Sequence, residues 1–122
     1  MTEKRNVLLA DDEEMVRNVA KAMLIHLGFD VILATDGQEA LGLFLSRQNE
    51  ISLVILDISM PGLDGFECLK HIRRNSDVPA LIATGYGTAI NEEALLETNA
   101  QGILPKPFTL EILAATIHNI LP

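Results

Sequence analysis

The sequence predicts an α/β domain, an open parallel sheet with helices on both of its faces. Three observations lead there. Short runs rich in Val, Ile and Leu alternate five times with longer stretches of helical period. The central short runs are apolar almost without a break, as strands buried on both faces are. The length, 122 residues, suits one domain of ~100–150 residues. Five β-α units are also too few for a closed eight-stranded barrel. Parallel strands joined by right-handed helical crossovers follow from the β-α order.

The first strand is expected at Val7–Ala10. Met15, Val16, Val19, Met23 and Leu27 then share one face of a helix, which Gly28 stops. The second strand is Val31–Ala34. Asp36 with Glu39 has the spacing of a capping box and opens a helix carrying Ala40, Leu41 and Phe44. The third strand is Ser52–Leu56. Asp64 with Glu67 repeats the capping spacing before Phe66, Leu69 and Ile72. The fourth strand is Ala80–Ala83. Residues 90–98 form the least regular helix, because Asn91, Thr98 and Asn99 are poor formers. The fifth strand is Gly102–Leu104. Thr109 and Glu111 start a last helix with Leu110, Leu113, Ile117 and Ile120 inward. No linker, repeat or low-complexity segment interrupts the series, so residues 1–122 read as one domain.

Composition narrows the function. Seventeen acids against nine bases give a formal charge of −8, with no basic run. Nucleic-acid binding by this domain is not expected, because phosphate contacts need clustered cations. One cysteine, Cys68, excludes an internal disulfide and a cysteine-based zinc site. The opening MTEKRNVLLADDEE is not expected to be a leader, since its apolar run is short and ends in acids. No stretch reaches the ~18 apolar residues of a membrane span. A reducing, cytoplasmic compartment is the expectation.

In open parallel sheets, sites form beyond the carboxyl ends of the strands. Here the first strand ends in Asp11-Asp12, the third in Asp57, the fourth in Thr84-Gly85 and the fifth in Lys106-Pro107. Each has an ordinary structural role when taken singly. Asp12 could cap a helix, Asp57 could begin a turn, Thr84 could end a strand, and Lys106 could be a solvated charge. Together they place three carboxylates, a hydroxyl and an ammonium on one edge. Carboxylates held that close repel unless one is protonated or a cation intervenes. Oxygen-only ligands suit Mg²⁺ or Mn²⁺, whereas His26, His71 and His118 fall within helices. Such a site suits a phosphoryl group, with a carboxylate as nucleophile. Asp57, at the end of the most apolar strand, is the best placed.

The segments LLADDEE (8–14), VILDISMPGLDGFE (54–67), IATGYG (82–87) and LPKPF (104–108) together resemble the receiver domain of two-component response regulators. The resemblance runs the length of the chain. It implies the flavodoxin-like (βα)₅ fold with strand order 2-1-3-4-5. It implies Asp57 as phosphoacceptor, and Asp11, Asp12, Asp57 and the main-chain carbonyl of Ser59 as Mg²⁺ ligands. Thr84 is similar to the hydroxyl that moves onto the phosphoryl group, Lys106 to the family's lysine, and Lys106-Pro107 to a cis bond. The implied donor is a sensor histidine kinase or a histidine phosphotransfer domain. The implied readout surface is the 90–121 face, offered to an output domain or a partner. Autophosphorylation from a phosphodonor and autodephosphorylation are the only chemistry implied, so no enzyme acting on an external substrate is expected.

Two positions depart from the pattern. Ile103 stands where the family usually has an aromatic switch residue. Tyr86, between Gly85 and Gly87, could overhang the site together with Ser59. Three rival readings are weaker. An aspartyl phosphatase or phosphotransferase commonly carries a second acid two residues after its nucleophile, and that position is Ser59. A flavodoxin-type FMN module needs a phosphate-binding loop where Asp11-Asp12-Glu13-Glu14 would repel phosphate. A docking domain that has lost phosphorylation would not need the acids, Thr84 and Lys106 together.

Overall fold

The computed structural model describes residues 5–85 and 90–121. Five strands alternate with five helices. They are β1 (Asn6–Ala10), α1 (Glu14–His26), β2 (Asp30–Ala34), α2 (Gly37–Arg47), β3 (Ile51–Asp57), α3 (Gly65–Ile72), β4 (Ala80–Thr84), α4 (Glu92–Thr98), β5 (Gly102–Pro105) and α5 (Leu110–Ile120). A single 3₁₀ turn, Gln48–Glu50, links α2 to β3. The strands are all parallel in the order β2-β1-β3-β4-β5, as expected.

Alternation along the strands divides the core in two. Val7, Leu9, Leu53, Ile55, Leu81 and Ala83 face α1 and α5, meeting Ala20, Leu24, Leu113 and Ile117. Leu8, Ala10, Val54, Leu56, Ala80 and Ile82 face the other way, onto Phe44 of α2 and Cys68, Leu69 and Ile72 of α3. Period-two strands between two helical layers produce this arrangement. It buries β1, β3 and β4 on both faces, which is why their sequences read as unbroken apolar runs.

The helix starts follow the local chemistry. Asp64 and Glu67 form a complete capping box, each side chain accepting the other's main-chain N–H. At α2, Asp36 accepts from Glu39 N at 2.8 Å, but Glu39 turns its carboxylate to Thr35 instead. Thr109 caps α5 through Ile112 N. The poor helix formers around α4 occupy its two ends: Asn91 is the N-cap, and Asn99 closes the helix with φ 51°. Gly28, with φ 96°, ends α1 as expected.

One expectation needs correction. Of the α1 stripe, Met23 and Leu27 pack against the core, while Met15 and Val19 do not join it; they are 80% and 54% exposed. The apolar band on α1 is wider than the sheet can cover. Ala20 and Leu24 take its centre, and Met15 and Val19 are left on the side facing the β5–α5 turn.

Candidate functional site

The sheet's order puts β1 and β3 side by side at its centre, so their carboxyl ends bring the acids together. One carboxylate oxygen from each of Asp11, Asp12 and Asp57 lies within 4.8 Å of the others. Asp11 and Asp57 are each 2% exposed, while Asp12 faces solvent. Asp12 does not cap α1. The N-cap position is Glu13, which makes no side-chain cap, and it is Asp11 Oδ1 that accepts the Glu13 N–H at 2.9 Å. The structural role open to Asp12 in the sequence is therefore not the one it fills.

Lys106 reaches in from the end of β5. Its Nζ lies 3.0 Å from Asp11 Oδ2 and 3.3 Å from Asp57 Oδ1. The ammonium thus bridges two buried carboxylates that would otherwise repel. Burial alone would push the lysine's pKa down, but the hydrogen bond it donates to Asp11 and the charges of Asp57 and Asp11 outweigh it, and the net shift is upward. For Asp57, burial is the largest influence and raises its pKa; the Asp11 charge adds to this, against Lys106 and the Ser59 N–H. That N–H points at Asp57 Oδ1 from 3.4 Å. Ser59 itself is exposed at the rim.

Thr84 ends β4 and is buried. Asp57 pairs in register with Ala83, so Thr84 stands one residue further toward the open edge than Asp57. The Lys106 N–H donates to Thr84 O at 2.7 Å, which locks the two strand ends together. Lys106-Pro107 is cis. Ile103 is half-buried in β5, paired with Ile82. Tyr86 lies outside the described residues.

Gly65, the first residue of α3, lets the backbone close behind the site. A β-carbon there would stand 2.5 Å from the Asp57 carbonyl oxygen, so only glycine fits this approach.

Sequence patterns did not disclose two features. Arg17 donates to the Asp11 main-chain oxygen at 2.8 Å, pinning the β1–α1 turn; nothing in a single helical arginine signals that. A groove of about 500 Å³ opens beside Lys106, walled by Met15, Val16, Val19, Pro107 and Phe108. Its signal was present in the excess width of the α1 apolar band.

A buried pair of acids bridged by lysine, with a third acid exposed beside them, forms an oxygen-only cluster at the switch point of a parallel sheet. The family model described as "Response regulator receiver domain" matches residues 7–118. The chain belongs to this family. Its fold is accordingly the flavodoxin-like fold of two-component receivers. Among curated relatives, a probable transcriptional regulator (ycf27) of Guillardia theta is 40% identical over 97% of this chain and 46% of its own. Response regulator RR06 of Streptococcus pneumoniae is 37% identical over 95% and 52%. The receiver spans about half the length of the curated relatives it matches. Of solved structures, the chemotaxis protein CheY4 of Vibrio cholerae superposes with a TM-score of 0.88 at 30% identity, covering 97% of this chain and 99% of that one. A receiver domain protein from Clostridium thermocellum gives 0.87 at 31%, covering 94% and 92%. Among the described residues, no helix is long and apolar enough to cross a membrane.

Proposed function

We propose that residues 1–122 act as one phosphoacceptor unit, in which Asp57 takes a phosphoryl group and thereby switches a partner-binding surface. The observation that carries this reading is the Lys106 ammonium held between Asp11 and Asp57. A carboxylate alone in that position would be an ordinary strand end. One flanked by a half-buried cation, and by two further acids able to hold a divalent ion, is prepared for a group that adds negative charge once that ion offsets the acids.

Asp57 would supply the attacking oxygen. A new P–O bond forms as the P–N bond to a donor imidazole breaks, and the imidazole keeps the electron pair. Lys106 would stay close to Asp57 and neutralise an oxygen of the incoming phosphoryl group. The Thr84 hydroxyl, just beyond the level of Asp57, would donate to another. The donors at the site fit a hard divalent ion: three carboxylates, no imidazole and no thiolate. Asp11, Asp12, Asp57 and the Ser59 carbonyl would hold Mg²⁺ or Mn²⁺. The ion would supply charge neutralisation for a polyanionic transition state.

The donor fits a sensor histidine kinase or a histidine phosphotransfer domain. The apolar groove beside Lys106 supports a protein donor, because a small phosphodonor has no use for exposed Met15 and Val19. Readout falls to the 90–121 face, with an output domain or separate partner as its reader. Ser59 in place of a second acid disfavours catalysis on external substrates. A lone buried thiol, Cys68, accords with a cytoplasmic setting.

The test is intact mass after incubation with acetyl phosphate and Mg²⁺. The reading expects one added phosphoryl group, lost in Asp57→Asn and in chelator. Modification that persists in Asp57→Asn would refute it.

A further inference from the structure

Among the described residues, the side-chain clasp on the α4 helix lies at its C-terminal end, and the helix is otherwise lightly covered, with Leu96 80% exposed. Its N-terminal residues Glu92 and Glu93 are exposed, and Ala94 and Leu95 are half-buried. Thr98, its last residue, is the one fully buried member, at 1% exposure. The ion pair Lys70–Glu97, 3.5 Å, joins α4 to α3 through side chains that are largely solvated, and such pairs hold little.

At the C-terminal end stands Arg73, which closes α3. One edge of its guanidinium serves α4 and the turn after it. Nε donates to Thr98 O at 2.6 Å, and Nη2 donates to Asn99 O at 3.1 Å and Gln101 Oε1 at 3.3 Å. Nη1, on the other side, donates to Val78 O at 2.7 Å and Ser76 O at 3.2 Å, in the loop leading to β4. Gln101 Oε1 also accepts the Ala80 N–H at 2.7 Å, and the Gln101 N–H donates to Ala80 O at 2.8 Å. A single planar cation therefore fastens the end of α3, the start of β4 and the end of α4 to one another. Charge-assisted bonds to otherwise orphaned helix-end carbonyls are strong and directional.

We propose that Arg73 is the fixed pivot of α4, so that phosphorylation moves the N-terminal end of the helix while Thr98–Gln101 stays in place. The proposal rests on the reading of Asp57 as phosphoacceptor. Its logic is that the end with no such clasp among the described residues is also the end nearer the site in sequence, since Asn91 follows Thr84 by seven residues. A helix clamped at one end and weakly buried at the other responds by swinging rather than by shifting as a body. Arg73 is a positioning residue, acting through the helix terminus it holds.

The experiment is NMR-detected amide exchange on the full chain, without and with beryllium fluoride plus Mg²⁺, a stable mimic of acyl phosphate. Fluorine NMR on the same sample reports whether the mimic has bound. In the wild type, the Ala94 and Leu95 amides should change exchange rate roughly tenfold, while those of Ala80 and Gln101 hold. Arg73→Lys offers no planar fork. It should speed exchange at Ala80 and Gln101 roughly tenfold and let the mimic alter both ends of α4. Bound mimic with both ends moving in the wild type, or with neither moving, overturns the pivot and leaves the phosphoacceptor reading intact. No fluorine signal of bound mimic counts against that reading itself, and the pivot falls with it. The wild-type comparison can still overturn the pivot where Arg73→Lys melts below the working temperature, and a folded Arg73→Lys with unchanged exchange at Ala80 and Gln101 overturns it too.

Discussion

Replacing Gly65 with alanine would disturb the site without touching any of its polar groups. The added carbon would stand 2.5 Å from the Asp57 carbonyl oxygen, 3.0 Å from the Asp57 carbonyl carbon and 3.1 Å from Ile58 Cα. All three are backbone atoms, so no side chain can swing aside. Carbon atoms in comfortable contact sit about 3.5–4.0 Å apart, so α3 and the end of β3 must separate by roughly 1 Å. Overpacking of this kind costs about 1–3 kcal/mol. At ~2.1 cal/mol/K of unfolding entropy per residue, a chain of 122 residues loses roughly 4 °C of Tm per kcal/mol. Gly65→Ala should therefore melt about 4–12 °C lower. A shift of ~1 Å at the nucleophile should also slow phosphorylation from acetyl phosphate by about 100-fold. Gly42 provides the control. It lies inside α2, where an added β-carbon would have nothing within 4 Å. There the same change should stabilise by up to ~1 kcal/mol, through helix propensity, and leave phosphorylation alone. Thermal melts and mass-detected labelling rates read both effects. Gly65→Ala that melts and reacts like the wild type would refute the claim that this glycine sets the position of Asp57.

Other expectations follow from the charges and the groove. In chelator, the raised pKa of Asp57 means that the folded state keeps a proton which the unfolded chain releases above the ordinary value of 3.8. Metal-free stability should thus fall as pH rises from that value through the raised one, and pH-dependent melts of Asp57→Asn should lose this component. Mg²⁺ favours the ionised acids, so its stabilisation should be larger at neutral than at mildly acidic pH; equal stabilisation at both would contradict the cluster as its site. Lys106→Met strands two buried carboxylates and should cost about 3 kcal/mol in chelator, less after acidification lets one of them protonate. Unchanged melting would show that the bridge carries no stability. Met15→Asp with Val19→Asp should weaken transfer from a phosphohistidine protein by roughly tenfold or more yet spare acetyl phosphate; equal slowing with both donors would remove the groove from donor binding.

Much of this was legible in the sequence, for identifiable reasons. Strands buried on both faces have no polar positions to spare, so β1, β3 and β4 announced themselves, and the polar residues that ended them marked the site. Asp64 with Glu67 formed the box that its spacing promised. The convergence of Asp11, Asp57 and Lys106 on one sheet edge followed from their places at strand ends, whereas the direct bridge depends on the reach of the Lys106 side chain from β5. What escaped depended on three-dimensional competition. Periodicity places Met15 and Val19 on an apolar face but does not say how much of that face the sheet can cover. Glu39 meets its partner one residue early, at Thr35, because spacing fixes proximity and not the acceptor chosen. The Arg73 clasp joins residues 25 to 28 positions apart, and a surface-type cation followed by Arg74 carries no sign of it. The 3₁₀ turn at Gln48–Glu50 is too short for any periodic signal.

The central claim is that Asp57, among the three clustered acids, carries the phosphoryl group. Borohydride reduces an acyl phosphate at the modified carbonyl and converts that aspartate to homoserine. Peptide sequencing of the reduced protein after acetyl phosphate and Mg²⁺ treatment reads the position directly. Homoserine at position 57, with Asp11 and Asp12 intact, is the predicted result. Homoserine at either of those positions, or none in protein whose mass shows a phosphoryl group, would contradict it.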